Sequence, residues 1–138
     1  MRNRFPSSES LHDRVIGVVG QAQTKHDVFT NPGHSHNWSV KIDGEDVYPD
    51  LILCKKGSKV IEHLIEVETE ESVTDAESSQ WAQYARGPGK FWLMVPSKKL
   101  STAQSICSRK GIAAQFGQWW VANGSLRFEW LQHVAAYR

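Results

Sequence analysis

The sequence has little cysteine and no long apolar run. Its two cysteines, Cys54 and Cys107, lie in apolar surroundings without a Cys-x-x-Cys spacing, which indicates buried free thiols in a reducing compartment rather than a disulfide framework. No apolar run approaches the roughly 18 residues needed to span a membrane. The opening MRNRFPSSES has no apolar centre of the kind found in signal peptides. We therefore expect a cytoplasmic protein with no membrane partner.

An excess of charge of either sign is also absent. Sixteen basic and 15 acidic residues give a net charge of +1, so the chain as a whole cannot steer nucleic acid, and any such binding needs a local basic patch. The 138 residues, 40% of them hydrophobic and 22% charged, suit a soluble globular protein. This length predicts a single domain over residues 1–138.

The pattern of apolar and turn-forming residues predicts three helices and six strands. Ser10 and Asp13 have the spacing of a helix-capping pair, and Asn123-Gly124 is typical of a tight hairpin turn. The order is that of an α/β or α+β domain with a mixed central sheet, followed by a C-terminal helix and hairpin. The predicted elements are a helix (10–24), three strands (38–42, 47–54, 59–69), a helix (74–86), a strand (91–96), a helix (100–110) and a hairpin centred on 123–124.

The segment IEHLIEVETEES, residues 61–72, combines the apolar character of a buried strand with a row of glutamates. Side chains of a strand alternate between two faces. Ile61, Ile65 and Val67 are therefore predicted on one face, with the glutamates and Leu64 on the other. Such a row is typical either of a solvated sheet face or of a divalent-cation site.

A partner for these carboxylates comes from the preceding strand. If Gly57-Ser58-Lys59 is the loop of an antiparallel hairpin, Lys56 pairs with Val60 and Asp50 pairs with Glu66. Directly opposed Cβ atoms are about 5 Å apart, where two carboxylates repel each other unless a cation such as Mg²⁺ lies between them. Glu68 lies one step further along this face, as a third oxygen ligand or a base. A loop one residue longer would separate Asp50 from Glu66.

Pro49-Asp50 followed by Glu66-Val67-Glu68 resembles the motif of the PD-(D/E)XK nuclease superfamily. Residues 10–96 are also similar to its restriction-endonuclease-like α-β-β-β-α-β core, while the last 40 or so residues lie outside it. The resemblance implies a deoxyribonuclease in which Asp50, Glu66 and the Val67 carbonyl hold Mg²⁺ or Mn²⁺. Glu68 replaces the usual lysine, as in some restriction endonucleases. That change leaves open an inactive nucleic-acid-binding or protein-interaction module with the same fold.

Further site residues follow from the same resemblance. Gln80 and Tyr84 match the Gln-x-x-x-Tyr helix of RecB-like members, and residues four apart share one helix face. The alternative places Tyr84 in the core and Gln80 in solvent. The first helix of many members supplies another acid, for which Glu9 is the nearest match and Asp13 the second.

The expected partner is DNA, and basic residues near the motif would contact its phosphates. The candidates are Lys98, Lys99, Arg86 and Lys90, each of which is otherwise a solvated surface charge. Trp119, Trp120 and Trp130 on the C-terminal hairpin could instead form the seam of a homodimer. His34 and His36 lack a third ligand for zinc, and His63 has the pattern of a core histidine.

Overall fold

The computed structural model describes residues 8–33 and 35–131, apart from the side chains of Ser8 and Glu9. The described residues form three α-helices, eight strands and a 3₁₀ turn over Ser97–Lys99. The helices are α1 (Ser8–Gln21), α2 (Ser78–Ala85) and α3 (Leu100–Lys110). The strands are β1 (His26–Thr30), β2 (Val40–Ile42), β3 (Glu45–Val47), β4 (Leu51–Lys55), β5 (Ile61–Val67), β6 (Lys90–Pro96), β7 (Gln115–Ala122) and β8 (Ser125–Trp130).

Six of the strands form one mixed sheet in the order β1-β4-β5-β6-β7-β8. Strands β1, β4 and β5 are antiparallel neighbours, β6 runs parallel to β5 and to β7, and β8 returns antiparallel to β7. Strands β2 and β3 form a separate two-stranded ribbon. The predicted mixed α+β fold with a C-terminal helix and hairpin is confirmed.

Each face of the sheet carries its own apolar cluster. On the α1 face, Val15 and Val19 of α1 pack against alternate residues of the central strands. On the α2/α3 face, helices α2 and α3 and the β2–β3 ribbon pack against the remaining ones. Both cysteines are free thiols buried in the cluster on the α2/α3 face, and the sequence predicts them to be free and buried. No helix within residues 8–33 and 35–131 is long and apolar enough to cross a membrane.

The first part of the predicted strand pattern is wrong. The sheet begins with β1 (His26–Thr30), which the sequence analysis did not predict. The predicted strand at 38–42 is shorter and belongs to the ribbon, and the predicted strand at 47–54 is two strands, β3 and β4. Pro49, between them, has no backbone N–H and cannot continue a ladder. The polar residues of HDVFT, each only half-buried, hide the alternation that identifies a strand.

The predicted capping pair at the start of α1 is also wrong. The helix begins at Ser8, two residues before Ser10. Asp13 instead accepts a hydrogen bond from the backbone N–H of Gly33 at 2.8 Å. This contact ties the loop after β1 to the side of α1.

The β4–β5 register agrees with the prediction near the candidate site and differs at the turn. Leu51 pairs with Ile65 and Ile52 with Leu64, the register that places Asp50 opposite Glu66. At the turn, however, the N–H of Lys55 donates to the carbonyl of Val60, so the predicted Lys56–Val60 pair is wrong. A β-bulge at Glu62 makes up the difference of one residue. The same bulge turns Ile61 toward the cluster that contains Leu64, opposite to the predicted face.

The C-terminal hairpin turns at Asn123 and Gly124, whose φ angles are +53° and +77°. Asn and Gly adopt this left-handed region readily, which is why the pair predicts the turn. Trp119 of this hairpin is only 4% exposed, within the cluster on the α1 face. A homodimer through the hairpin stays a prediction, but the buried Trp119 cannot belong to its seam.

Gly89 provides a test of how tightly the β5 bulge is packed. Its φ is +77°, and a Cβ at this position would lie 2.6 Å from the backbone carbon and oxygen of Glu62. We expect Gly89→Ala to lower the free energy of unfolding by about 2 kcal/mol, because the strand itself would have to move. Gly17→Ala is the matched control. Gly17 is helical, and a methyl group added there would have nothing within 4 Å, so alanine should stabilise the protein by about 0.5–1 kcal/mol. Urea unfolding measures both, and equal effects would contradict the packing at Gly89.

Candidate metal centre

A cleft of about 640 Å³ opens where β5 ends and β4 begins. Because these strands are antiparallel neighbours, the residue before β4 lies beside the last residues of β5. Helix α2 forms another wall, with Gln80 and Tyr84. The predicted residues that line this one cleft are Asp50, Glu66, Val67, Glu68, Gln80 and Tyr84.

Asp50 and Glu66 hold each other in place through the backbone. The N–H of Asp50 donates to Glu66 Oε1 at 2.9 Å, and the N–H of Val67 donates to Asp50 Oδ2 at 2.8 Å. Both residues are only 7% exposed. Two buried carboxyl groups are therefore fixed side by side at the wall of the cleft.

Burial first, and then the negative charges of Asp50 and Glu68, raise the pKa of Glu66 well above its ordinary value. Side-chain hydrogen bonding between the Glu66 and Asp50 carboxyl groups contributes in the same direction. The pair thus favours retention of a proton, or its replacement by a cation.

Glu68 is held differently. It is 4% exposed, and its Oε2 accepts a hydrogen bond from the indole N–H of Trp81 at 2.8 Å. The indole N–H of Trp119 donates to its backbone carbonyl at 3.0 Å. Burial raises the pKa of Glu68 to about 7, although hydrogen bonds from Ser72 and Trp81 oppose the rise.

Glu68 does not complete a cage of three carboxylates. Among the described residues, the three carboxyl groups are not a set whose ligand atoms all lie within 4.8 Å of one another. Both roles predicted for Glu68, as a third ligand and as a base, stay predictions.

His12 of α1 is a site residue that the sequence analysis missed. Its ring lies between two carboxylates, with Nε2 3.0 Å from Asp50 Oδ2 and Nδ1 3.1 Å from Asp13 Oδ1. Burial lowers its pKa, but the hydrogen bonds and charges of Asp50 and Asp13 outweigh burial and raise the pKa to about 9. Its only sequence signal is the polar His12-Asp13 pair beside the apolar positions of α1. Contact with a residue 38 positions away cannot be inferred from that signal.

Asn31 is a second missed residue, and it positions Asp50. Its side-chain amide donates to the carbonyls of Trp38 and Pro49, both at 2.8 Å. Its backbone N–H donates to the carbonyl of Asp50 at 3.0 Å. The residue is 2% exposed, so it fixes the backbone on which Asp50 is carried.

Gln80 and Tyr84 occupy one face of α2, as their spacing predicts. The amide Nε2 of Gln80 donates to the Tyr84 hydroxyl at 3.2 Å. Tyr84 is 3% exposed and packs in the core, and Gln80 is exposed, as the alternative had it, although both residues also line the cleft. Burial, followed by the charges of Glu66 and Asp50, raises the pKa of Tyr84 above its ordinary value, so the hydroxyl stays protonated.

The predicted DNA contacts do not form one patch. Arg86 ends α2 and binds Asp43 through Nε at 2.9 Å and Nη2 at 2.6 Å. Lys90 begins β6, level with His63 and three residues before the level of Glu66. Lys98 and Lys99 follow the carboxyl end of β6, the end at which the cleft opens, and Lys98 pairs with Glu70 at 3.0 Å.

Two further predictions involve residues outside the described part of the chain. Glu9 lies in the first turn of α1, but its side chain is not among the described ones. His34 is also outside the described residues, so the pairing of His34 with His36 stays untested. His36 itself stacks on Tyr48, with ring centroids 4.0 Å apart, at the rim of the cleft.

The raised pKa values predict that the metal-free protein loses stability as the pH rises. The pKa of Glu68 is about 7 in the folded protein, against an ordinary 4.5. Protonated Glu68 therefore stabilises the fold fully below about pH 4.5, and this stabilisation is lost as the pH rises through 7. The pKa of His12 is about 9 in the folded protein, against an ordinary 6.5. Protonated His12 therefore stabilises the fold fully below pH 6.5, and this stabilisation is lost as the pH rises through 9. For Glu68 the loss amounts to about 3 kcal/mol.

Urea unfolding in EDTA between pH 5 and pH 9 tests this expectation. Glu68→Gln should remove the part of the loss that falls between pH 5 and 7. A free energy of unfolding that rises steadily from pH 5 to pH 9 would contradict the buried, proton-retaining site.

No protein-family model, no curated protein and no solved structure matches this chain.

Proposed function

We propose that the protein is a Mg²⁺- or Mn²⁺-dependent deoxyribonuclease of the PD-(D/E)XK type, with a glutamate in place of the usual lysine. The observation that carries the proposal is the fixed pair of buried carboxyl groups, Asp50 and Glu66, in a cleft of about 640 Å³. His12 compensates Asp50 at 3.0 Å, but a second buried carboxyl group beside Asp50 is costly to a protein unless a further cation or a proton compensates it. Such a cost is typical of a functional site.

The order of the elements around the pair supports the same proposal. Helix α1 is followed by the antiparallel strands β1, β4 and β5, then by α2, and then by β6 parallel to β5. This is the α-β-β-β-α-β order that the motif resemblance implies. The first strand of that order is β1 instead of residues 38–42.

The donor set fits a hard divalent cation. Asp50, Glu66 and the backbone carbonyl of Val67 offer oxygen only, which Mg²⁺ and Mn²⁺ prefer. Among the described contacts, Asp50 uses Oδ2 and Glu66 uses Oε1 for hydrogen bonds to the backbone. When bound, the ion would lower the pKa of a coordinated water and neutralise charge on the phosphate.

The protein's own side chains then have distinct roles. Glu68, with a pKa of about 7, can accept a proton from the attacking water at neutral pH, because a base works best near the pH of the medium. Gln80 at the cleft wall orients that water or a phosphate oxygen, and Tyr84 holds the Gln80 amide. Lys98 and Lys99, at the open end of the cleft, contact the DNA backbone.

Cleavage assays test the proposal directly. The wild-type protein is incubated with single- and double-stranded DNA in Mg²⁺, in Mn²⁺ and in EDTA. We expect cleavage with either ion, none in EDTA, and none from Asp50→Asn. Asp46→Asn, at an exposed pair with Lys41, is the matched control and should cleave normally. Cleavage that persists in both Asp50→Asn and Glu66→Gln would show that another protein or another site is responsible.

The alternative, a binding module that has lost catalysis, has one observation in its favour. Glu68 is locked by Trp81 where the family usually has a lysine. That alternative predicts salt-dependent DNA binding without cleavage under any divalent ion. This outcome would overturn the nuclease proposal while leaving the fold assignment in place.

A further inference from the structure

A second group of potential metal ligands lies away from the cleft. His26, Glu62 and His63 each present one ligand atom, and these atoms all lie within 4.8 Å of one another. His26 Nε2 is 2.9 Å from Glu62 Oε1, and the two imidazole rings meet edge to face with centroids 5.3 Å apart. Among the described residues, this is the only group of three that meets the 4.8 Å limit. The nuclease proposal does not use it.

The backbone of β5 is irregular where it builds this group. In a regular strand, the neighbours Glu62 and His63 would point to opposite faces. The β-bulge opposite Leu53 and Cys54 interrupts the alternation, which allows both side chains to approach His26. Gly89 packs directly against the carbonyl of Glu62, in space that a Cβ would occupy. The bulge is thus held in place by close packing against Gly89.

The donors favour zinc over magnesium. Two imidazole nitrogens and one carboxylate suit Zn²⁺, whereas Mg²⁺ prefers oxygen alone. His63 Nδ1 accepts a hydrogen bond from the Trp92 indole N–H at 3.0 Å, so this nitrogen carries the lone pair that a metal needs.

We propose that His26, Glu62 and His63 form a zinc site that clamps β1 to β5 across the intervening β4. The site lies about 10 Å along β5 from Glu66, the rise of three strand residues, and on the other face of the sheet. Three protein ligands leave a fourth position for water. Beside the site is a cavity of about 260 Å³, lined by Trp92 and Trp130 among others.

Zinc binding and the Trp92 hydrogen bond to His63 exclude each other. A metal on His63 Nε2, with Nδ1 still accepting from Trp92, would require the ring to lose both protons. Zinc therefore binds either Nδ1 in place of the indole N–H or Nε2 of a ring that carries its proton on Nδ1, and both routes break the Trp92 hydrogen bond. Trp92→Phe removes the competing donor and should tighten zinc binding by about two- to tenfold, the worth of one net hydrogen bond.

Calorimetric titration of EDTA-stripped protein with ZnCl₂ at pH 7.5 is the test. We expect one zinc per chain, and His26→Gln or His63→Gln should weaken binding by at least about tenfold. Excess zinc should raise the melting temperature of the wild type by several degrees and leave that of His26→Gln unchanged. Urea unfolding in EDTA checks that the variants are folded. A wild type that takes up no zinc, or a His26→Gln variant that binds as tightly, would overturn the proposal.

The cleft is a competing zinc site, and one more variant separates the two. The double variant Asp50→Asn/Glu66→Gln removes the cleft ligands and leaves the histidine group intact. Zinc binding that survives in this double variant and fails in His26→Gln supports the clamp. The reverse pattern assigns zinc to the cleft and overturns the clamp. DNA cleavage by His26→Gln in Mg²⁺ should match the wild type, so the two proposals can fail independently.

Discussion

Glu66→Gln is expected to abolish metal-dependent DNA cleavage and, at the same time, to stabilise the metal-free protein. The amide oxygen of glutamine can still accept the hydrogen bond that the N–H of Asp50 gives to Glu66 Oε1. It cannot ionise, so the burial cost and the repulsion that raise the pKa of Glu66 disappear. We expect a gain of about 2 kcal/mol in the free energy of unfolding at pH 8 in EDTA. The loss in cleavage rate should be at least about a hundredfold.

The combination of the two effects is what makes this variant informative. A residue with a purely structural role loses stability when it is changed, whereas a functional residue that strains the fold gains it. The matched control is Glu129→Gln, on the exposed edge of the hairpin, where the carboxylate contacts the Gln118 side chain at 2.7 Å. It should change stability by less than about 0.5 kcal/mol and leave cleavage intact. A Glu66→Gln protein that is less stable than wild type would contradict the buried acidic pair.

Trp81→Phe is expected to cause the largest loss of stability among conservative changes near the cleft. Trp81 is completely buried in α2, and its indole N–H donates to Glu68 Oε2 at 2.8 Å. Phenylalanine leaves a cavity and removes the donor from a buried carboxyl group. The two costs together should lower the free energy of unfolding by about 3 kcal/mol. That corresponds to a fall of about 10 °C in melting temperature for a chain of this size.

A second readout separates the hydrogen bond from the packing. The Trp81 hydrogen bond lowers the pKa of Glu68, so its removal should shift the Glu68-dependent loss of stability to higher pH. Trp120→Phe, at a half-buried position on β7, is the control and should cost less than about 1 kcal/mol. Equal melting temperatures for the two variants would show that Trp81 does not anchor α2 to the site.

The parts of the fold that the sequence predicts are those with strong local signals. The continuous apolar run of β6, the Asn123-Gly124 turn and the apolar pattern of α3 each have one local solution. Helix α2 is predicted from Thr74 but begins at Ser78; Thr74 still accepts the N–H of Glu77, the bond that a capping pair makes, in the turn before the helix. Strand β1 was missed because its five residues are all half-buried and mostly not apolar. The strand conformation of β1 is instead stabilised by its antiparallel pairing with β4.

The sequence likewise predicts some residues of the candidate site and not others. Asp50, Glu66 and Glu68 could be found because a hairpin register relates them, and that register is correct at the site even though it is wrong at the turn. His12 and Asn31 could not be found. His12 approaches Asp50 through the packing of α1, and Asn31 approaches it through the course of the loop after β1. Neither contact produces a periodic pattern in the sequence.

The central claim is that Asp50 and Glu66 chelate one divalent ion, and diffraction from a crystal soaked in Mn²⁺ tests it most directly. We predict an anomalous difference peak between the two carboxyl groups, with Asp50 and Glu66 oxygens within about 2.3 Å of it. Asp50→Asn crystals soaked in the same way should lack the peak. Wild-type crystals in which Asp50 stays paired with His12 and no manganese lies between the two carboxyl groups would contradict the claim.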